Sequence, residues 1–303
     1  MKFSMWPNPE RPPAEVLDLA RLADTDGWFG FWYADHYMPN TGDESVADGD
    51  VHECWSVLAA IAAVTTTIRV GPLVAPTSVH HPALLANRAA TIDQLSRGRF
   101  VLGVGAGWQI NEHRAYGIEL EEPKVRVDRF EEAMQVMRSL LTEDRTTFAG
   151  AHYAISDAPC QPRPVQERLP ILVGTGSPRM LRITARHGDE WNTWGAPELA
   201  AERRATFDEQ CERVGVEPSS LYTSVQAMVV MTDDPEAIAK VEAGDGADRT
   251  IAGSDERIID AMNRYVELGF DEVIVPDFTL GRTPEARQDA YRRFRADIAP
   301  RIG

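Results

Sequence analysis

Short apolar runs of strand length alternate with longer amphipathic runs along the whole chain. The strand-like runs cover residues 2–6, 29–35, 68–76, 100–107, 171–174, 190–195, 222–231 and 272–277. Helical patterns fill the intervals, at 13–26, 53–64, 82–95, 125–141, 178–187, 197–214, 255–268 and 284–298. Several of these segments begin with proline, which is favoured in the first turn of a helix.

This alternation of eight βα units predicts a (β/α)8 TIM barrel that forms a single domain over residues 1–303. An open Rossmann sheet is the alternative, but the glycine-rich stretch at 103–107 ends the fourth strand and lacks the third spaced glycine. One segment interrupts the pattern, because residues 146–155 read as a hairpin with Gly150 near its turn. We therefore expect a hairpin inserted between the fourth helix and the fifth strand.

Composition and charge narrow the class of protein. The 303 residues are 43% hydrophobic, and a net charge of −16 disfavours nucleic acid and anionic membranes as partners. No apolar run reaches the roughly 20 residues of a membrane span, and no signal-peptide pattern is present. The cysteines at 54, 160 and 211 are widely spaced and form no CxxC motif. We expect a cytoplasmic protein with reduced thiols that acts on a small molecule.

The ends of the strands are where a barrel of this type places its active site. Residues with useful chemistry follow several strands. They are Asp35 and His36 after the second strand, His80 and His81 after the third, Gly105, Gly107, Trp108 and Asn111 after the fourth, and Gly174, Thr175, Gly176 and Ser177 after the fifth.

His36 is the candidate proton carrier, because imidazole titrates near neutral pH and a strand end would bring it to the barrel mouth. A packed structural histidine is the alternative. The neighbouring histidines could instead indicate a metal-dependent hydrolase. The first strand, however, has no HxH motif and no bridging lysine is evident, so we expect no metal.

Two further patterns suit a planar ring that carries a phosphate. The turn at 174–177 is built of small residues and leads into a helix, so an anion could approach free backbone N–H groups there. A tight turn with a serine cap is the alternative. Tryptophans near four strand ends would line an apolar pocket, namely Trp6, Trp32, Trp108 and Trp194.

Longer motifs are similar to those of the luciferase-like monooxygenase superfamily, especially its coenzyme F420-dependent branch. The similarity extends from the first strand to the closing helix, and the order of the motifs makes the set specific. The motifs are ADHYMP at 34–39, VAP at 74–76, HPALLA at 81–86, TIDQLSRGR at 91–99, LGVGAGW at 102–108, PRPVQ at 162–166, GTG at 174–176 and ARHGDEWN at 185–192.

This resemblance implies a barrel of the bacterial luciferase type, a homodimer, and F420 as cofactor, with FMN as the alternative. It implies that His36 moves the catalytic proton and that a non-prolyl cis peptide lies in the third strand between Gly71 and Val74. The implied cofactor contacts are Asp35, His36, Leu73, Val74, Ala75, Gly105, Gly107, Trp108, Asn111, Gly174, Thr175, Gly176 and Ser177. Trp6, His81 and Trp194 are expected in the substrate pocket.

Three positions depart from the sugar-phosphate dehydrogenases of this family. Trp108 replaces their acidic glutamate, Asn40 replaces a tryptophan, and Glu198 lies near the place of a phosphate-binding lysine. We therefore expect a more apolar substrate pocket. The leading hypothesis is hydride transfer between F420 and a small alcohol, carbonyl or activated double bond. A reduced-FMN monooxygenase and a non-catalytic flavin-binding barrel remain the alternatives.

Overall fold

Parallel strands close a barrel in the computed structural model, which describes residues 1–303. The strands are β1 (Lys2–Trp6), β2 (Gly30–Tyr33), β3 (Arg69–Pro72), β4 (Ala75–Pro76), β5 (Leu102–Gly105), β6 (Thr146–Ala149), β7 (Ala154–Ala158), β8 (Ile171–Gly174), β9 (Glu190–Trp194), β10 (Tyr222–Gln226), β11 (Met228–Met231), β12 (Thr250–Gly253) and β13 (Glu272–Pro276). The main sheet runs β3-β2-β1-β13-β10-β9-β8-β5-β4. Because β3 and β4 are two halves of one position, pairing with β2 and β5 respectively, the sheet closes on itself as the predicted (β/α)8 barrel.

Helices cover the outside of this barrel and bury their apolar faces against outward-facing strand residues. They are α1 (Pro13–Thr25), α2 (Cys54–Val64), α3 (Pro82–Ser96), α4 (Ile110–Ala115), α5 (Pro123–Thr142), α6 (Pro178–His187), α7 (Pro197–Val214), α8 (Pro235–Glu242), α9 (Asp255–Glu267) and α10 (Pro284–Arg293). None of them combines the length and the apolar character that a membrane crossing requires. A separate apolar cluster fills the barrel interior, formed by Trp6, Trp32, Ala34, Leu73, Val101, Leu172 and Ile274.

A non-prolyl cis peptide bond between Leu73 and Val74 separates β3 from β4. It lies inside the interval where the family resemblance implies one. Two glycines of the neighbouring strand β5 leave space for the backbone around this cis peptide. A Cβ atom on Gly103 would lie 2.0 Å from the carbonyl oxygen of Pro72, and one on Gly105 would lie 2.9 Å from a Val74 methyl group. The glycine-rich run therefore serves first to let two backbones approach closely.

The seventh barrel strand is shorter than the sequence predicts. The apolar run at 222–231 predicts a single strand, but β10 ends at Gln226 and β11 pairs in parallel with β12 in a separate sheet. The prediction was wrong here because apolar alternation does not show where a strand changes its partner. The short helices α4 and α8 were also not predicted. Between α5 and β8, where a hairpin is expected, β6 and β7 form an antiparallel pair.

Charged side chains meet at the amino end of the barrel. Arg69, Glu190 and Glu272 each occupy the first position of a strand. The Arg69 guanidinium bonds to Glu190 and lies 3.8 Å from a Glu272 oxygen, and the Trp32 indole N–H donates to the other Glu272 oxygen at 2.9 Å. Two buried carboxylates thus share one guanidinium. Burial raises the pKa of the Glu190 carboxyl to about 7.

Candidate active site

A cavity of about 890 Å³ opens at the carboxyl ends of the barrel strands. The strands of the barrel are all parallel, so their carboxyl ends lie at the same end of the barrel and surround this cavity. Most of the sequence-predicted site residues line this cavity. They are Trp6, His36, Leu73, Val74, Gly105, Gly107, Trp108, Gly174, Thr175, Gly176, Ser177 and Trp194.

Four predicted residues do not line the cavity. The carboxylate of Asp35 is fully buried and accepts hydrogen bonds from His80 Nε2 at 2.8 Å and Trp55 Nε1 at 3.0 Å. Because Asp35 and His36 are adjacent on an extended segment, their side chains diverge. Asp35 therefore anchors the loop that carries His36, and its contact with the cofactor stays a prediction.

The other three residues also have structural partners. Ala75 is buried in β4, and the Asn111 side-chain amide donates to the Pro39 carbonyl at 2.9 Å. The His81 ring caps α3 by accepting from the backbone N–H of Ala83 at 3.2 Å. Ala75, Asn111 and His81 are absent from the cavity lining, and their roles at the site stay predictions.

His36 faces the cavity with its ring held by a buried carboxylate. Its Nδ1 atom lies 3.0 Å from Glu112 Oε1, and the second Glu112 oxygen accepts the backbone N–H of Tyr37 at 2.9 Å. The Glu112 side chain is 2% exposed, whereas that of His36 is 22% exposed. A carboxylate at Nδ1 requires the proton to reside there, which leaves Nε2 as the free ring nitrogen. The Trp108 ring stands nearly perpendicular to the imidazole, with the centroids 5.6 Å apart.

Sequence reasoning did not select Glu112 as a site residue. Glu112 lies beyond the end of β5, in the first turn of α4. Its contact with His36, which follows β2, depends on the three-dimensional fold and is not visible in the sequence. The signal that could have indicated it is the acidic residue directly after Asn111, in a loop already assigned to the barrel mouth.

The inner part of the cavity carries a buried donor and a buried acceptor that have no partner in the protein. Asn192 Oδ1 accepts from Gln226 Nε2 at 2.9 Å and so fixes that amide, which leaves Gln226 Oε1 without a hydrogen bond. The indole N–H of Trp6 is likewise buried and unpaired. Both residues line the cavity. Gln226 and Asn192 were not predicted.

The turn at 174–177 leads from β8 into the first turn of α6. Ser177 precedes α6 but its side chain makes no capping hydrogen bond, and the next residue is proline. The remaining first-turn N–H groups are therefore not capped by a side chain, and Thr175, Gly176 and Ser177 line the cavity beside them. Ser177 occupies the N-cap position of α6, but the capping hydrogen bond that the serine-cap alternative expects is not formed. A Cβ atom on Gly174 would lie 3.0 Å from a Val74 methyl, so this glycine also accommodates the bulge.

Comparison with known proteins identifies the class. The sequence profile described as luciferase-like monooxygenase matches residues 1–243, and the chain belongs to this family of enzymes. An F420-dependent glucose-6-phosphate dehydrogenase of Microbacterium testaceum is 27% identical over 326 residues, covering 96% of this chain and 94% of the relative. The same-named protein of Kineococcus radiotolerans is 34% identical over 178 residues, 58% of this chain and only 51% of that relative.

A solved structure extends the likeness at the level of the fold. An F420-dependent secondary alcohol dehydrogenase in complex with an F420-acetone adduct superposes with a TM-score of 0.84 at 19% identity, covering 100% of this chain and 99% of that chain. The luciferase-type barrel implied by the sequence motifs is therefore confirmed.

Proposed function

We propose that this protein is an F420-dependent oxidoreductase that transfers hydride between the deazaflavin and a small alcohol, carbonyl or activated double bond. The observation that carries the proposal is the His36–Glu112 pair, a buried carboxylate that orients an imidazole on the wall of a large cavity. The names of the relatives, which are F420-dependent dehydrogenases, support the choice of cofactor.

The residues of the cavity fit such a cofactor. Leu73 and Val74 line the cavity with apolar side chains, and the polar groups of Gln226 and Trp6 would face a ring that has both donors and acceptors. The turn at 174–177 and the start of α6 would hold the phosphate. When bound, F420 accepts or supplies a hydride, that is, two electrons and a proton.

The protein groups would manage the remaining proton. When an alcohol is oxidised, its C–H and O–H bonds break and a C=O bond forms. His36 Nε2 would take the hydroxyl proton, while the hydride from the C–H bond is the part of the chemistry that bound F420 would supply. Glu112 would hold the imidazole in the required tautomer and stabilise the imidazolium that forms. Reduction of a carbonyl runs the same transfers in reverse, so the geometry serves either direction.

The substrate would bind beside an aromatic wall. The ring centroid of Trp6 lies 5.3 Å from that of Trp194 and 5.2 Å from that of Phe278, and all three residues line the cavity. Trp108 and Asn40 also line it, at the positions that depart from sugar-phosphate dehydrogenases. We propose an apolar or aromatic contact surface around the reacting carbon.

Loss of F420 absorbance in the presence of candidate alcohols tests this function directly. The protein loaded with oxidised F420 should reduce it when a suitable secondary alcohol is added, and a His36→Ala protein should not do so at a comparable rate. Oxygen-dependent turnover with reduced FMN and no reaction with F420 would establish the monooxygenase alternative. Tight cofactor binding without turnover of any tested substrate would favour the non-catalytic barrel.

Two properties implied by the sequence extend the proposal. We propose a homodimer, which sedimentation of the purified protein would test. We also propose the reducing cytoplasm as its compartment, because all three cysteines, Cys54, Cys160 and Cys211, are buried and unbonded.

A further inference from the structure

One buried carboxylate joins the ends of two adjacent barrel strands. Asp277 directly follows β13, and its side chain is fully buried. Its Oδ1 atom accepts the backbone N–H of Asn8 at 2.9 Å, and its Oδ2 atom accepts a hydrogen bond from Arg11 Nε at 3.1 Å. Both partners belong to the loop of residues 7–12, which follows β1, the neighbour of β13 in the sheet. Asp277 therefore ties this loop to the end of the next strand.

Two further charged groups surround the carboxylate. Arg287 of α10 donates from Nε to Glu15 Oε1 at 2.7 Å, and the same nitrogen lies 3.8 Å from Asp277 Oδ2. The side chains of Arg287 and Glu15 are almost completely buried. Two acidic and two basic groups thus compensate one another, with Arg11 as the fourth member. Because displacement of one buried charge would leave its partner uncompensated, this network resists movement of Asp277.

The segments that Asp277 holds form one wall of the cavity. Residues 8–10 of the 7–12 loop line the cavity, and so does Phe278, the next residue after Asp277. The ring centroid of Phe278 lies 5.2 Å from that of Trp6. None of the four charged residues of the network lines the cavity, so the network lies behind this wall and acts on the cavity only through the residues that it holds.

We propose that Asp277 is a positioning residue that sets substrate selectivity by holding the 7–12 loop and Phe278 beside Trp6. This inference rests on the proposed function, because selectivity presupposes turnover of an alcohol or a carbonyl compound. The phenyl ring of a ketone such as acetophenone would contact the wall formed by Trp6 and Phe278, whereas the methyl groups of acetone offer little surface to it. Turnover of acetophenone should therefore depend on Asp277 more than turnover of acetone does.

A network that only stabilises the fold is the competing explanation. Loss of folded protein lowers the concentration of active enzyme, and hence the apparent kcat, but it leaves KM unchanged. The ratio of the KM values for the two ketones is independent of the amount of folded protein. That ratio therefore separates a positioning role from a purely stabilising one.

Asp277→Asn keeps the shape of the side chain and removes its charge. The asparagine oxygen can accept from Asn8, but the amide nitrogen cannot accept from Arg11. With saturating reduced F420, we expect KM for acetophenone to rise by about fivefold or more. KM for acetone, and kcat for both ketones per folded protein, should stay within about twofold of wild type.

Arg11→Gln removes the other side of the same contact. The Arg11 side chain is 24% exposed, so its loss should disturb folding less than a change at the fully buried Asp277. We expect the same selective rise in KM for acetophenone, and this variant carries the test if Asp277→Asn does not fold. The matched control is Asp18→Asn, which removes an exposed carboxylate of α1 that pairs with Arg21. It should leave both KM values unchanged.

Amide hydrogen exchange, followed by mass spectrometry, gives a readout that needs no turnover. In Asp277→Asn and Arg11→Gln, the backbone amides of the 7–12 loop should exchange about tenfold faster or more than in wild type, because the loop is held less firmly. Exchange of this loop in Asp18→Asn should equal that in wild type.

Three results would overturn the proposal. They are an unchanged KM for acetophenone in both variants, equal increases of KM for the two ketones, and unchanged exchange of the 7–12 loop. Reduction of acetone but not of acetophenone by the wild type would also contradict it. Faster exchange of the loop in both variants of a protein that oxidises reduced F420 with no ketone would contradict the proposed function and still support the positioning of the loop by Asp277.

Discussion

The two ends of the barrel treat charge in opposite ways. At the amino end, Glu190 and Glu272 share the single guanidinium of Arg69, and the surplus negative charge is relieved by a raised pKa of Glu190. At the carboxyl end, Arg126 and Arg203 line an open cavity without an ion pair, whereas Arg249 pairs with Asp248 at 3.4 Å. Buried groups at a closed end can compensate excess charge only by binding or releasing a proton, whereas groups on an open cavity can also compensate it by binding a charged ligand. This difference indicates that the amino end serves stability and the carboxyl end serves function.

Replacement of His36 should have the largest effect and should separate rate from folding. In His36→Ala, we expect the turnover rate to fall on the order of a hundredfold, because His36 is the candidate proton carrier and alanine cannot accept a proton. Cofactor affinity, measured by F420 fluorescence, should change little. Near-normal turnover, or a loss of rate proportional to lost folded protein, would make His36 structural.

Replacement of Glu112 tests the residue that positions His36. Glu112→Gln removes the negative charge that stabilises an imidazolium. A glutamine also has only one acceptor oxygen, so it cannot accept hydrogen bonds from both His36 and Tyr37 as the two oxygens of Glu112 do. We expect kcat to fall by about tenfold with KM nearly unchanged, and Glu112→Asp to restore part of the loss. Equal losses of kcat and of thermal stability in both variants would indicate a purely structural carboxylate.

A charge introduced at Gly176 tests the phosphate turn. In Gly176→Asp, the new carboxylate would pair with Arg203 and repel a phosphate at the start of α6, so F420 should bind about tenfold more weakly. Gly176→Ala is the control, because its Cβ atom would meet only an ordinary contact at 3.7 Å. If the folded aspartate variant binds F420 normally, the turn does not belong to the cofactor site.

A change at the amino end should affect stability and leave binding alone. The raised pKa means that Glu190 stabilises the fold while it is protonated, fully below about 4.5, and that this contribution is lost as pH rises through about 7. Glu190→Gln remains neutral at every pH. Its free energy of unfolding should therefore decline less between about pH 5 and 8, by roughly 1–3 kcal/mol, in urea titrations.

The exposed substitution Glu267→Gln is the control for this measurement, because Glu267 pairs only with Arg264 on the surface. An unchanged pH dependence in Glu190→Gln would show that the carboxyl at the amino end titrates normally. A loss of F420 affinity in the same variant would remove the division of roles between the two ends.

The barrel was predictable because its signals are local. Strand length, amphipathic period and glycine position along the chain predicted each barrel position, and β8 was predicted at its observed bounds. The end of β10 was not predictable from the sequence. Gln226 and Met228 belong to one apolar run, but the segment of Gln226 pairs with β9 and the segment of Met228 pairs with β12.

The candidate site was predictable only where strand order brings residues to the mouth. His36 and the turn at 174–177 follow strands directly, so the fold class places them. Glu112 and Arg203 reach the cavity from helices, and the direction of a side chain on a helix depends on packing that no single pattern reveals. Asp35 was assigned to the cofactor from the resemblance, and its contacts with His80 and Trp55 became visible only in three dimensions.

The choice of cofactor is the central claim, and separate fluorescence titrations of the purified protein with F420 and with FMN test it most directly. The account predicts saturable binding of F420 with an affinity at least about tenfold higher than that for FMN. Tight binding of FMN with no measurable affinity for F420 would contradict it.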